Sequence, residues 1–165
     1  MSKEYLYSPW RFKYIQAEKE NKCIFCESIK SENISDDLSL LVYKTKLSFV
    51  IMNLYPYNNG HLMVVPKKHV SSLSALSIEE LTDLSVLVQR TEVIIKKVFN
   101  SDGINVGINL GKAAGAGIDE HLHIHMVPRW FGDSNFMTTV SNVRVIPQSF
   151  EEVVSKLKQE FNNEK

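Results

Sequence analysis

No sign of charge is in excess in this sequence, because nineteen Lys and Arg offset nineteen Asp and Glu. That balance argues against charge-driven binding to nucleic acid or to an anionic membrane. A phosphate-bearing ligand would have to be recognised locally. No run approaches the roughly 20 apolar residues needed to span a bilayer. The opening Met1-Ser2-Lys3-Glu4-Tyr5 lacks the apolar core of a secretory signal, so the chain is expected in the cytoplasm. Cysteine is nearly absent. The only two, Cys23 and Cys26, are spaced C-x-x-C, which suits a metal knuckle or a redox pair better than a structural disulfide. There is no long internal repeat and no low-complexity segment. Histidine is scarce but concentrated: all five lie in residues 60–69 or 121–125.

At 165 residues with 44% apolar content, the chain is expected to fold as a single domain over 1–165 with a normal-sized core. Three parts are distinguishable: an aromatic N-terminal arm (1–22), a core (23–130) and a C-terminal extension ending in a helix (131–165). Within the arm, Ser8-Pro9 is a plausible helix start. Aromatics at the density of Tyr5–Ile15 call for cover from the body or a partner subunit. Leu38–Thr45, Ser48–Leu54 and His61–Pro66 read as strands of an antiparallel meander, with a turn at Pro56, Asn58, Asn59 and Gly60. Ser77-Ile78-Glu79-Glu80 is a capping box opening a long helix to about Asn100, with Gly103 as its stop. Gly103–Leu110 is an alternating strand, and the histidine segment pairs back as another. Val143–Ile146 reads as a short strand, and Ser149-Phe150-Glu151-Glu152 as a second capping box that starts a helix through about Phe161. The expected class is α+β: an antiparallel sheet of about five strands, one long central helix and a C-terminal helix.

His121-Leu122-His123-Ile124-His125 follows the loop Gly111-Lys112-Ala113-Ala114-Gly115-Ala116-Gly117. Strand alternation would put the three imidazoles on one face and Leu122, Ile124 and Met126 in a core. A neutral imidazole is a usable nucleophile near pH 7, and a glycine-rich loop can offer unobstructed backbone N–H groups to oxyanions. His123, flanked on both sides, is best placed to attack while its neighbours orient and donate.

Gly60-His61-Leu62-Met63-Val64-Val65-Pro66-Lys67-Lys68-His69, the loop headed by Asn109, and the pattern His-x-His-x-His-x-x-Pro-Arg ending at Arg129 together resemble the HIT (histidine triad) family. The resemblance runs from about Cys23 to Arg129. Ser8-Pro9-Trp10-Arg11 and Pro128–Phe136 further resemble the branch that contains diadenosine tetraphosphate phosphorylases. The resemblance implies a HIT fold and a nucleotidyl-transferring enzyme acting on dinucleoside polyphosphates, with diadenosine tetraphosphate the leading substrate. It implies that His123 forms a covalent nucleotidyl-histidine, that His125 holds the phosphate or leaving group, and that His61 completes the pocket. Asn109 would contact phosphate, and Asn53 the ribose hydroxyls, although a turn-capping role is open to both. Gly115, Ala116 and Gly117 stand where many relatives read Gly-Gln-Ser/Thr, so an amide and a hydroxyl are missing, and the spacer is one residue longer.

Trp130 could stack on a base, pack in the core or meet a subunit; Lys67 and Lys68 could draw in polyphosphate or form a solvated strand end. Cys23, Cys26, His69 and His121 match positions that bind structural zinc in some HIT proteins, and two thiolates with two imidazoles form the tetrahedral set zinc prefers. A reduced thiol pair is the alternative. The family also implies a homodimer. Competing functions are phosphoramidate hydrolysis, a zinc-bearing nucleotide-binding module with little turnover, and a metal hydrolase using H-x-H-x-H as ligands.

Overall fold

The computed structural model describes residues 23–30, 40–134 and 146–163. The arm and the residues expected to form a strand at 143–145 lie outside them, while Ile146 belongs to no regular element. Five antiparallel strands form one sheet: β1 (Leu41–Lys44), β2 (Ser48–Met52), β3 (Leu62–Pro66), β4 (Gly103–Ile108) and β5 (Ile124–Arg129), in the order β1-β2-β3-β5-β4. Among the described residues three α-helices accompany them: α1 (Ile24–Lys30), α2 (Ile78–Phe99) and α3 (Phe150–Asn163). The expected α+β class and strand number are those of the structure.

Every residue of β2 and β3 is buried, because both faces of the sheet centre are covered. Alternation then divides the side chains. Val50, Met52, Leu62, Val64, Ile124 and Met126 point to one face, where Leu84, Leu87, Ile94 and Ile95 of α2 and Val153, Val154, Leu157 and Phe161 of α3 meet them. Phe49, Ile51, Met63 and Val65 point to the other, with Leu41 and Phe25 of α1. The second face is the one that carries the histidines, since His125 pairs across from Met63.

The capping box forms as expected: Ser77 Oγ accepts from Glu80 N, and the Glu80 carboxylate accepts from Ser77 N. The helix stop differs. Asn100 adopts the left-handed conformation (φ 47°) and terminates α2, while Gly103 opens β4. Asparagine tolerates that conformation better than most residues. Ser149 Oγ accepts from Glu152 N at the start of α3. Arg90 ties this layer together: its guanidinium lies 4.5 Å from the Tyr43 ring centroid and donates to the Phe161 carbonyl at 2.6 Å.

The sequence pattern did not reveal α1. Its seven residues span under two full turns, too short for a 3.6-residue period to register.

Candidate functional site

Of the three clustered histidines, only His125 lies in a strand; β5 begins at Ile124, and His121 and His123 precede it. That corrects the expectation of one continuous histidine strand. The segment leaves the sheet because its backbone finds another partner: Leu122 N donates to Val70 O at 2.6 Å. The alternation survives, with Leu122, Ile124 and Met126 in the α2 core and His121, His123 and His125 on the opposite side. His123 and His125 have ring centroids 4.8 Å apart, and His125 lies 5.1 Å from His61, which just precedes β3. His121 turns away towards the cysteines.

The backbone assigns the tautomers. His123 Nδ1 lies 2.8 Å from the His121 carbonyl, which can only accept, so Nδ1 carries the proton and Nε2 keeps a free lone pair. His61 Nδ1 receives the Tyr57 backbone N–H at 3.0 Å and the Asn53 amide at 3.2 Å, so its proton sits on Nε2. That Nε2–H faces His125 Nδ1 at 3.0 Å, which leaves the His125 proton on Nε2. The result is a directional chain in which a nucleophilic nitrogen and a donor N–H sit on adjacent rings. Burial, with the neighbouring imidazoles, lowers His61 to about 3 and His125 to about 4. Both are therefore neutral at pH 7, and His125 donates as an imidazole rather than as a cation.

Beside this chain, Cys23, Cys26, His69 and His121 converge, with one ligand atom from each lying within 4.8 Å of the others. His121 Nδ1 is 3.2 Å from Cys23 Sγ and 3.6 Å from Cys26 Sγ, and His69 Nδ1 is 3.3 Å from Cys26 Sγ. Tetrahedral zinc, with Zn–S about 2.3 Å and Zn–N about 2.0 Å, implies S···N edges of about 3.5 Å. The four groups fit. Cys26 lies in the first turn of α1 and Cys23 immediately precedes it, its carbonyl accepting from Glu27 N at 3.0 Å, so the three-residue spacing brings both thiols to one side. His121 Nε2 donates to Pro66 O at 2.9 Å, which keeps Nδ1 unprotonated and aimed at the thiols, an outer-shell contact of the kind metal-bound histidines make.

The other expected site residues are placed as follows. Both polar ends of the Asn53 side chain are engaged locally, the amide on His61 and Oδ1 with Tyr55 N at 2.9 Å. Gly111 and Gly115 take positive φ (82° and 89°) around a short 3-10 turn, a conformation suited to glycine. Asn109 borders that turn: its side-chain amide would lie 4.0 Å from a Cβ at Gly115. Of the loop N–H groups, those of Ala114, Gly115 and Ala116 bond back to the carbonyls of Gly111 and Lys112. The loop thus uses internally three of the N–H donors expected for a ligand, and the Gly117 N–H is not among those bonds. Trp130 Nε1 donates to Phe99 O at 3.3 Å, anchoring the end of α2. Lys68 bonds to Ala75 O and pairs with Glu80.

Sequence reasoning missed two residues. Tyr57 fixes the His61 tautomer through its backbone, and its ring lies 4.8 Å from that of His61 and 5.6 Å from that of His125. Phe25, fully buried, lies 5.3 Å from His121 and 5.1 Å from His123 by ring centroids. The available signals were a tyrosine four residues before His61 and an aromatic inside the C-x-x-C.

A family model described as HIT domain matches residues 36–132, and the chain belongs to that family. It is 49% identical over 115 residues to an AP-4-A phosphorylase of Mycobacterium tuberculosis, covering 70% of this chain and 59% of that protein. It is 41% identical to an asymmetrical bis(5'-nucleosyl)-tetraphosphatase of Schizosaccharomyces pombe over 55% of this chain and 50% of that one. The chain thus spans about three fifths or less of the length of these relatives. Among solved structures, a zinc-bound histidine triad family protein of Mycobacterium smegmatis superposes with TM-score 0.69 at 26% identity, covering 88% of this chain and 99% of that one. A hypothetical histidine triad nucleotide-binding protein of Sulfolobus tokodaii does so with TM-score 0.69 at 28% identity, over 86% and 93% of the two chains.

Proposed function

We propose that this protein is an enzyme that splits dinucleoside polyphosphates, with diadenosine tetraphosphate as the leading substrate, through a covalent nucleotidyl-histidine. The observation that carries the reading is the tautomer chain: His123 Nε2 holds a free lone pair beside the ring of His125, whose proton is on Nε2. Attack of His123 Nε2 on an α-phosphorus forms a P–N bond and breaks the P–O bond to the remaining polyphosphate. The leaving oxygen meets the His125 Nε2–H. Phosphate or water then attacks the same phosphorus, restoring His123 and releasing ADP or AMP. Splitting one hard displacement into two is ordinary covalent catalysis, and the dipoles set around His123 serve the developing charge without reorganisation. The relatives named as a phosphorylase and an asymmetrical tetraphosphatase support the substrate class and leave both acceptors in play.

The Cys23, Cys26, His69 and His121 set would hold zinc, which supplies structural cross-linking with no open position for substrate. Homodimer assembly and a cytoplasmic location belong to the same proposal; no helix among the described residues is long and apolar enough to cross a membrane.

The test is incubation with diadenosine tetraphosphate, with and without inorganic phosphate, and chromatographic identification of products. ADP plus ATP only with phosphate identifies phosphorolysis, and AMP plus ATP identifies hydrolysis. His123→Ala should remove turnover while circular dichroism stays native. Retained turnover in that variant, or no product from the wild type, overturns the reading.

A further inference from the structure

Two physical links join the Cys2His2 cluster to the histidine chain. The first is a backbone one. The carbonyl that holds the His123 Nδ1 proton at 2.8 Å belongs to His121, whose own imidazole is committed to Cys23 and Cys26. The second is Phe25. It lies between the two cysteines on a helix of only seven residues, it is fully buried, and its ring contacts those of both His121 and His123. An isolated helix of this length is unstable in water. What holds α1 against the sheet is the burial of Phe25 with Leu41, Phe49, Ile51, Met63 and Val65, and the convergence of the Cys26 thiol and that of Cys23, just before the helix, with His69 and His121.

We propose that Phe25 is a positioning residue for His123, seated by the Cys2His2 cluster, so that the cluster sets the orientation of the nucleophile from behind. The ring of an imidazole held by a single hydrogen bond can still pivot about that bond. Phe25, tilted 44° to the His123 ring with centroids 5.1 Å apart, limits the pivot from one side, and the His125 ring, near perpendicular at 82°, limits it from another. Freed thiols would release α1, withdraw the Phe25 ring and open space beside His123, while leaving the sheet and the α2 core in place. The catalytic consequence rests on the proposed nucleotidyl transfer; the placement of the ring does not.

The experiment compares zinc-loaded wild type, wild type stripped with a chelator and then reloaded with zinc, Phe25→Ala and Phe25→Leu. Metal content, hydrogen exchange of the His123 Nδ1–H by NMR, and kcat and KM for diadenosine tetraphosphate are read on each. The expected result is a slowly exchanging Nδ1–H in the loaded wild type. It should be lost on stripping, regained on reloading, and lost in Phe25→Ala even with one zinc bound. Loss of orientation should lower kcat on the order of 10²-fold, with KM little changed and Phe25→Leu intermediate in both readouts. A role confined to filling the core would lower thermal stability without that kcat-specific loss or that exchange change. Wild-type exchange in zinc-bound Phe25→Ala, or in Phe25→Leu if the alanine variant does not fold, overturns the inference. So does a protected Nδ1–H in the stripped protein. If the wild type turns over nothing, the nucleotidyl-transfer reading fails, and the exchange data still decide where Phe25 acts.

Discussion

A single backbone N–H, that of Tyr57, decides the protonation of two imidazoles. By donating to His61 Nδ1 it sends the proton of His61 to His125, and the proton of His125 outward. Sequence alternation placed the histidines on one face but could not show this, because the partner of His61 Nδ1 comes from the turn before the strand. Burial of these same two rings has a thermodynamic consequence. His61 and His125 titrate at about 3 and about 4 in the folded protein, against about 6.5 in an unfolded chain. Below about pH 6.5 the unfolded state therefore binds protons that the folded state refuses, and stability falls as pH falls. The loss runs from about 6.5 down to those folded values and contributes at most about 1.4 kcal/mol per pH unit for each group. Urea unfolding midpoints measured between pH 7 and 4.5 should decline, and His61→Asn should flatten the decline whatever its effect on stability at pH 7. An unchanged slope in that variant would remove His61 from the account.

At the scale of elements, the turn between β2 and β3 is what aims His61, and it is anchored from outside. Arg129 forks onto Asp133, with Nε to Oδ2 at 2.5 Å and a terminal nitrogen to Oδ1 at 2.8 Å. Asn58 then bridges that carboxylate to the Pro128 carbonyl at 2.9 and 3.1 Å. The Arg129 guanidinium accordingly holds the Asp133 carboxyl well below the usual carboxylate range. Gly60 closes the turn at φ +71°, where an added Cβ would fall 2.6 Å from the Phe99 ring. Left-handed strain of about 1–2 kcal/mol and overpacking of about 1–3 kcal/mol both oppose a side chain there. Gly60→Ala is expected to cost about 2–5 kcal/mol, read as a lower urea midpoint at constant m-value, and to reduce kcat by misplacing His61. The sequence made this turn legible, as it did the α2 cap, because Pro56, Asn58, Asn59 and Gly60 are local signals. Helix α1 and the early departure of residues 121–123 from the sheet were not legible, because α1 is held by distant groups and Leu122 bonds to Val70, 52 positions away in the numbering.

For the whole molecule, the four candidate zinc ligands tie together segments far apart in the chain: Cys23 to His121 spans 98 positions, and Cys26 to His69 spans 43. Their identity was legible from residue type and family pattern; their convergence depends on β3 delivering His69 beside the segment that carries His121. A metal that binds this folded cluster but not the open chain stabilises by mass action, about 4 kcal/mol at a thousandfold excess over Kd. For a protein of this size that raises Tm on the order of 10 °C. Burial, with the adjacent Cys23 thiol, pushes the Cys26 thiol up, so near neutral pH binding must displace a proton from it, and affinity should rise with pH. Differential scanning calorimetry of zinc-loaded protein with and without chelator should show the drop in Tm, larger at pH 8 than at pH 6. Cys26→Ser should begin with the lower Tm and respond little to chelator. A loaded wild type whose Tm ignores the chelator while its zinc is removed would mean that the thiols and imidazoles meet without the metal carrying stability, and the fold would then rest on the two apolar faces of the sheet alone.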